Sequence, residues 1–167
     1  QSIDWLGYDF KDWILNLPCK KVYLVPGNHD FICEWSSTFM KLLSLATNNK
    51  LAYMSNATLH NDQLSILGTP LCHKFGNWAF MHDDDTLRLY YNMLDLKASI
   101  YITHDTPAIG DLDLLPPSRW SKEPIHAGNK LLAEIIKEYK PRYVFCGHLH
   151  TCKDKHIKIG NSDIYNV

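Results

Sequence analysis

The chain has 167 residues, of which 46% are hydrophobic and 21% are charged, and its formal net charge is −1. A chain of this length can bury a sizeable core, and we expect residues 1–167 to form a single domain. The near-neutral charge gives no general attraction to nucleic acid or to an anionic membrane, and the longest apolar runs are far shorter than the roughly 20 residues of a membrane-spanning helix.

The first predicted helix carries a single apolar stripe. Phe10, Trp13, Ile14 and Leu17 are spaced at i, i+3, i+4 and i+7, which places them on one face of a helix. Pro18 follows, and proline cannot continue a helix. We therefore expect this helix to pack on the core through these four residues and to lead into the first strand.

A strand and a second helix come next along the chain. Residues 22–25 are an uninterrupted β-branched and aromatic run, which predicts a strand covered on both faces. We expect the backbone to turn sharply at Gly27. Ser36 or Ser37 is predicted to cap a helix that continues to about Ala46. The residues predicted to face inward on this helix are Phe39, Leu42, Leu43 and Leu45.

The middle of the chain combines a hairpin with a helix. Residues 58–60 and 64–68 predict two strands joined by a turn at residues 61–63. Asp85 is predicted to cap a helix that runs to about Leu94. The two carboxylates before Asp85 could bind a metal, but a helix start is the better interpretation, because carboxylates interact favourably with its exposed N–H groups.

The last third of the chain indicates the fold class. Residues 98–103 and 143–146 predict strands, and residues 126–139 between them predict a helix. Residues 155–167 predict a hairpin that turns at residues 160–161. This strand, helix, strand order, together with hairpins elsewhere, indicates an α/β chain with mixed sheets.

One loop is longer than a connection requires. It lies between Pro107 and Pro124, and we expect it to form a wall of a binding site. Arg119 and Lys122 in this loop, and His126 after it, could bind a substrate phosphate. A solvated loop and a helix start explain the same residues equally well.

Polar side chains follow three of the predicted strands at the points where those strands end. Asn28 and His29 follow the first of these strands, His104 follows the second, and His148 and His150 follow the third. Each strand end therefore carries histidine. This repetition predicts one shared site at the rim of the sheets.

The residue types at these strand ends suit a divalent metal. Imidazole is a ligand for zinc, iron, manganese and nickel, and the amide oxygen of Asn28 adds a harder ligand. His148 and His150 are separated by one residue, so their rings can diverge around two ions or converge on one. A lone pair of this kind is more often found on a surface, but the other two strand ends favour a metal site.

Three motifs, in this order, carry a resemblance to a known family. They are Gly-Asn-His-Asp at residues 27–30, Thr-His-Asp-Thr-Pro at residues 103–107 and Gly-His-Leu-His at residues 147–150. With these motifs the sequence resembles the calcineurin-like metallophosphoesterases. Further similarity, to the branch called metallophosphoesterase-domain proteins, lies at residues 68–70, 75–80 and 126–129.

The resemblance implies a four-layer sandwich of two mixed sheets flanked by helices, with two divalent metal ions at its edge. It implies that Asn28, His104 and His148 bind the second metal and that His150 binds the first, the ions being Mn, Fe, Zn or Ni. A hydroxide bridging the ions would attack the phosphorus of a small-molecule phosphate mono- or diester, and His29 would protonate the leaving oxygen.

Two motifs of the family are missing. The Asp-x-His and Gly-Asp motifs would supply the other ligands, whereas the only carboxylates before His29 are Asp4, Asp9 and Asp12, in or before a helix. Because the chain begins at Gln1 rather than methionine, we expect an N-terminally truncated enzyme that lacks its first strands and is inactive as this piece. The alternative is a natural, shortened, non-catalytic binding scaffold with the same fold.

The remaining candidates receive structural interpretations. Asp30 is predicted to accept a hydrogen bond in its loop, Asp105 to lie behind a metal ligand or in a turn, and Cys146 to pack as an unactivated thiol. The histidines predicted to be structural or exposed are His60, His73, His82 and His156. The five cysteines are odd in number and form no close pair, so we expect a reducing cytoplasm, with any targeting peptide lying upstream.

Overall fold

The computed structural model describes residues 2–61, 63–119 and 121–167. The helices are α1 Ile3–Trp5, α2 Lys11–Asn16, α3 Phe31–Trp35, α4 Ser37–Ala46, α5 Asp84–Asn92 and α6 Lys130–Tyr139, with a π-helical turn at Leu6–Phe10 and a 3-10 turn at His150–Cys152. The strands are β1 Val22–Leu24, β2 Leu51–Tyr53, β3 Ala57–His60, β4 Ser65–Thr69, β5 Cys72–His73, β6 Met81–His82, β7 Ile100–Thr103, β8 Leu114–Leu115, β9 Ile125–His126, β10 Tyr143–Cys146, β11 Lys155–Ile159 and β12 Ser162–Asn166.

Six strands form the main sheet, in the order β11-β12-β10-β7-β4-β3. The four central strands are parallel to one another, and β3 and β11 are antiparallel to their neighbours at the two edges. Helices α5 and α6 connect the parallel strands and pack on one face of the sheet. Their buried residues Leu87 and Leu132 meet Leu67, Tyr101 and Val144 of the strands. The predicted α/β class with a mixed sheet is confirmed.

A smaller sheet lies in the first third of the chain. It consists of β1 and β2, which are parallel, so this second sheet of the sandwich is a two-stranded parallel pair. Helix residues Ile14, Met40 and Leu43 form its core together with Leu51 and Ala79. All three residues of β1 are half-buried. The prediction of a strand covered on both faces is wrong, because the small sheet and its helices leave every residue of β1 partly exposed.

The helices of the first third of the chain bury fewer of their apolar residues than predicted. Ile14 is fully buried, but its neighbour Trp13 is 56% exposed. The helical segment begins at α1, and its π-helical turn holds more residues per turn, which shifts the face on which later residues lie. On α4, Leu43 is buried as predicted, whereas Leu42 and Leu45 are exposed, because the small sheet offers little surface to cover.

Two helices begin at other residues than predicted. The N-cap of α5 is Asp83 rather than Asp85, and its side chain accepts a hydrogen bond from a backbone N–H of the first turn. Helix α6 begins at Lys130, because Asn129 caps it in the same way. His126 therefore lies in β9 and not in a helix.

Several local predictions are confirmed. Ser36 caps α4, accepting a hydrogen bond from the backbone N–H of Phe39. The hairpins β3–β4 and β11–β12 form, and Gly160 has the positive φ that the second turn needs. The predicted turn at residues 61–63 includes Asp62, which lies outside the described residues. None of the helices in the described ranges combines the length and apolar character that a bilayer crossing needs.

Candidate metal centre

The loop after β1 is held by its own carboxylate. Asp30 Oδ2 accepts a hydrogen bond of 2.7 Å from the backbone N–H of Gly27, which confirms the predicted loop-stabilising role. Gly27 does not have a positive φ, so glycine is not required here for the turn. A Cβ at Gly27 would instead lie 2.6 Å from Cε1 of His104. The glycine allows the β1 loop to approach the histidine at the end of β7.

Asn28 and His104 meet in the space that this close approach creates. Asn28 is 4% exposed, and its Oδ1 lies 2.9 Å from Nε2 of His104. The backbone of Asn28 is fixed as well, because its carbonyl accepts a hydrogen bond from the N–H of Ala79. The first and second predicted strand ends therefore come together, although they belong to different sheets.

His148 brings the third strand end to the same place. It follows β10, the neighbour of β7, and its backbone has a φ of 71°. Its ring centroid lies 4.9 Å from that of His104, and the planes of the two rings make an angle of 67°. Thus the structure brings Asn28, His104 and His148 together, three of the four residues predicted to bind metal.

Burial keeps these two imidazoles neutral near physiological pH. It lowers the pKa of His104 to about 4, and the charge of His148 acts in the same direction. Burial also lowers the pKa of His148. A neutral imidazole has a free lone pair, which is the form that binds a metal.

His29 and His150 lie at the periphery of this group. Both side chains are exposed, and His150 begins the 3-10 turn after β10. The ring of His29 contacts Trp78, with 4.6 Å between ring centroids. Both histidines act electrostatically on His148, since their charges oppose its protonation. Their roles as leaving-group acid and metal ligand stay predictions.

Asp105 organises the loops behind the centre. It is completely buried, and its Oδ1 accepts a hydrogen bond from the backbone N–H of Thr106, as expected of a turn carboxylate. Its Oδ2 accepts hydrogen bonds from the backbone N–H of His73 and from Nδ2 of Asn129. The carboxylate thereby joins the turn after β7, strand β5 and the start of α6.

Cys72 carried no predicted role, and His73 was predicted to be structural or exposed. Potential ligand atoms of Cys72, His73 and Asp105 all lie within 4.8 Å of one another. Nδ1 of His73 is 2.9 Å from Asp105 Oδ2, and this hydrogen bond raises the pKa of His73. Burial, followed by the charge of Asp105, raises the pKa of the Cys72 thiol. The adjacent Cys-His pair was the only sequence signal for this group.

The three residues that could bind substrate phosphate lie on the long loop, where Lys122 is exposed, and on the strand after it. Nδ1 of His126 is 3.0 Å from Asp113, and its side chain is largely exposed. Arg119 is exposed in the loop between β8 and β9. Their binding roles stay predictions. Cys146 is buried, which raises its thiol pKa to about 12 and confirms that it is not an activated thiolate.

The carboxylates before His29 do not reach a strand end. Asp4, Asp9 and Asp12 lie on the first helical segment, and all three are exposed. This placement agrees with the expectation that they do not replace the missing acidic ligands. Within the described residues, the centre therefore presents imidazole and amide groups, and Asp105 and Asp30 are the carboxylates whose charges act on His104.

Comparison with known proteins identifies relatives of this chain. The sequence profile of a family described as calcineurin-like phosphoesterase matches residues 4–152. The UPF0046 protein T07D4.2 of Caenorhabditis elegans is 24% identical over 155 residues, which cover 76% of this chain and 37% of that protein. One solved crystal structure matches with a TM-score of 0.72 and 19% identity, covering 98% of this chain and 63% of the other.

A second solved structure, that of TT1561 of Thermus thermophilus, matches with a TM-score of 0.58 and 15% identity. This match covers 86% of the present chain and 61% of that one. Both structural similarities show the fold. The chain spans less than two thirds of the length of each of these three relatives.

Proposed function

The chain belongs to the calcineurin-like phosphoesterase family, and on this premise we propose that the whole protein is a metal-dependent hydrolase of phosphate mono- or diesters. The observation that carries the proposal is the convergence of Asn28, His104 and His148 from three strand ends. We propose these three residues as ligands of one divalent ion.

The spacing of one pair of these donor atoms fits such an ion. Metal–ligand bonds to imidazole nitrogen and to oxygen are about 2.0–2.2 Å long, so two ligands at right angles are about 3 Å apart. The Asn28 Oδ1 and His104 Nε2 atoms are 2.9 Å apart. Without an ion the same pair makes a hydrogen bond, so little movement is needed to bind one. Mn, Fe, Zn and Ni all suit this mixture of nitrogen and oxygen ligands.

When bound, a pair of divalent ions supplies Lewis-acid stabilisation of the phosphoryl oxygens and a nucleophile at neutral pH. His150 is proposed as a ligand of the other ion. His29, exposed beside Trp78, is proposed to hold the proton that the leaving oxygen receives. Arg119 and His126 are proposed to bind the phosphate of a small-molecule substrate.

The 167-residue chain by itself is proposed to hold only part of this centre. A dinuclear site needs acidic ligands, and Asp4, Asp9 and Asp12 are exposed on helices. We therefore expect weak, single-site binding of Mn²⁺ by this chain and negligible turnover.

The decisive experiment uses the whole protein that contains this chain. Hydrolysis of p-nitrophenyl phosphate and bis-p-nitrophenyl phosphate is measured with added Mn²⁺. We expect His29→Ala to lower kcat by about 10²–10⁴-fold, as loss of a general acid does, and His148→Ala to lower activity at least as far. The matched control is His60→Ala, which removes an exposed imidazole that pairs with Asp95. Unchanged turnover in both test variants would show that the assignment is wrong.

The lack of the Asp-x-His and Gly-Asp motifs before His29 also supports a second function, a non-catalytic binding scaffold with the same fold. The two proposals differ in the metal content of the whole protein. Calorimetric titration of the whole protein with Mn²⁺ will show two sites if it is the enzyme. A scaffold will show one weak site or none, and no hydrolysis of either nitrophenyl ester.

A further inference from the structure

A second set of potential metal ligands lies next to the centre described above. Cys72 and Asp105 are completely buried, and His73 is a quarter exposed, so the set is open to solvent on one side. Their sulfur, nitrogen and oxygen atoms lie within 4.8 Å of one another. Tetrahedral zinc bonds of about 2.0–2.3 Å place ligand atoms about 3–4 Å apart, so these atoms need only a small adjustment to surround one ion.

The three side chains come from two separate segments, β5 and the turn after β7. They supply one sulfur, one nitrogen and one oxygen, and the side open to solvent leaves the fourth tetrahedral position to water. His148 borders the set, because its Nε2 lies 3.9 Å from Sγ of Cys72.

We propose that Cys72, His73 and Asp105 form a mononuclear site for a thiophilic divalent ion, of which Zn²⁺ is the natural choice. Thiolate selects zinc over manganese and magnesium, whereas the amide oxygen of Asn28 suits harder ions. The inference does not depend on hydrolysis. The site uses none of the residues proposed above to hold the ions of the hydrolytic centre.

Asp105 is held by hydrogen bonds from neighbouring groups, as carboxylates that bind metals usually are. Besides its contact with His73 Nδ1, Asp105 accepts hydrogen bonds from the backbone N–H of His73 and from Nδ2 of Asn129. These two donors hold the carboxylate in place without using the imidazole. On coordination the Cys72 thiol loses its proton to solvent, and His73 Nδ1 gives up its proton, leaving the ring protonated at Nε2.

Cobalt titration of the 167-residue chain tests the proposal, because Co²⁺ replaces Zn²⁺ and reports on sulfur ligands. We expect saturable Co²⁺ binding with a near-ultraviolet thiolate-to-cobalt charge-transfer band, reversed by Zn²⁺. Cys72→Ser abolishes the band. Cys33→Ser, which removes a buried thiol from the small sheet's core, leaves it unchanged. His73→Ala weakens Co²⁺ binding by about 10–100-fold, as loss of a supporting group does at other metal sites.

The outcomes separate this site from the proposed hydrolytic centre. His104→Ala leaves the thiolate band in place, whether or not His104 binds another ion. Co²⁺ binding that lacks a thiolate band, or a band that survives Cys72→Ser, would overturn the proposal. If circular dichroism shows that Cys72→Ser does not fold, the Co²⁺ affinity of His73→Ala is the test instead. An unchanged Co²⁺ affinity in that variant would also overturn the proposal.

Discussion

The main sheet and the small sheet both contribute residues to the candidate metal centre, but they differ in the number of strands and in how completely their helices are buried. The main sheet has six strands, and α5 and α6 cover one of its faces with fully buried residues such as Leu132. The small sheet has two strands, and its helices leave Trp13 and Leu42 more than half exposed. We therefore infer that the main sheet holds its part of the site more rigidly than the small sheet does.

The well-packed side holds the buried imidazoles. His104 and His148 follow adjacent parallel strands of the main sheet, whose register fixes where these strands end. The small sheet supplies Asn28 and His29, and its loop reaches the imidazoles through the close approach at Gly27. The candidate metal centre therefore lies between the well-packed main sheet and the less well-packed small sheet.

The largest expected effect lies in the core of the main sheet. Leu132→Ala removes a completely buried side chain and should lower the free energy of unfolding by about 3–4 kcal/mol in urea denaturation. Leu43→Ala in the small core should cost about 2 kcal/mol, because its thinner surroundings can relax around the cavity. Leu42→Ala, at an exposed position, is the control and should stay within about 0.5 kcal/mol. A cost at Leu43 exceeding that at Leu132 would reverse the comparison.

The next effect concerns pH, and it tests the burial of His104 against the main sheet. The folded-state pKa is lowered to about 4 from the ordinary value of 6.5, so the unfolded chain takes up a proton first as the pH falls. The metal-free chain should therefore lose stability between about pH 6.5 and pH 4, by up to about 3 kcal/mol from this residue. His73 acts in the opposite sense, because its raised pKa favours folding at low pH.

Comparison of variants isolates the contribution of His104. His104→Gln should flatten the loss of stability between pH 6.5 and 4, measured by urea denaturation across this range without metal. His60→Gln, which removes an exposed imidazole, should keep the slope of the parent chain. An equal slope in all three proteins would mean that His104 is not protected from protonation by burial.

The strands of the main sheet were predictable because their pattern is local. Residues 64–68, 98–103 and 143–146 carry apolar runs or alternation that few other structures accept. Helix starts were less predictable, since Asp83 and Asp85 are both competent caps and the sequence does not choose between them. The exposure of Trp13 depends on the π-helical turn and on the size of the small sheet, neither of which the spacing of apolar residues reveals.

The residues of the candidate site also fall into a group that the sequence predicted and a group that it did not. Asn28, His104 and His148 were found together because each follows a strand, and strand ends are a local feature. The partners of Asp105 were not predictable. Its contacts with His73 and Asn129 join segments 32 and 24 residues away, and only the folded chain brings these segments together.

The smallest expected effect tests the contact between the two halves. Gly27→Ala places a methyl group 2.6 Å from the ring of His104, so either the loop or the ring must move. We expect Mn²⁺ binding by the whole protein, measured by calorimetry, to weaken about tenfold, which corresponds to about 1.4 kcal/mol. Gly7→Ala is the control, because its methyl group would meet no atom within 4 Å, and metal affinity should not change. If both variants bind Mn²⁺ like the parent, the loop after β1 can move to make room for the methyl group beside His104. That loop would then not be a fixed part of the centre.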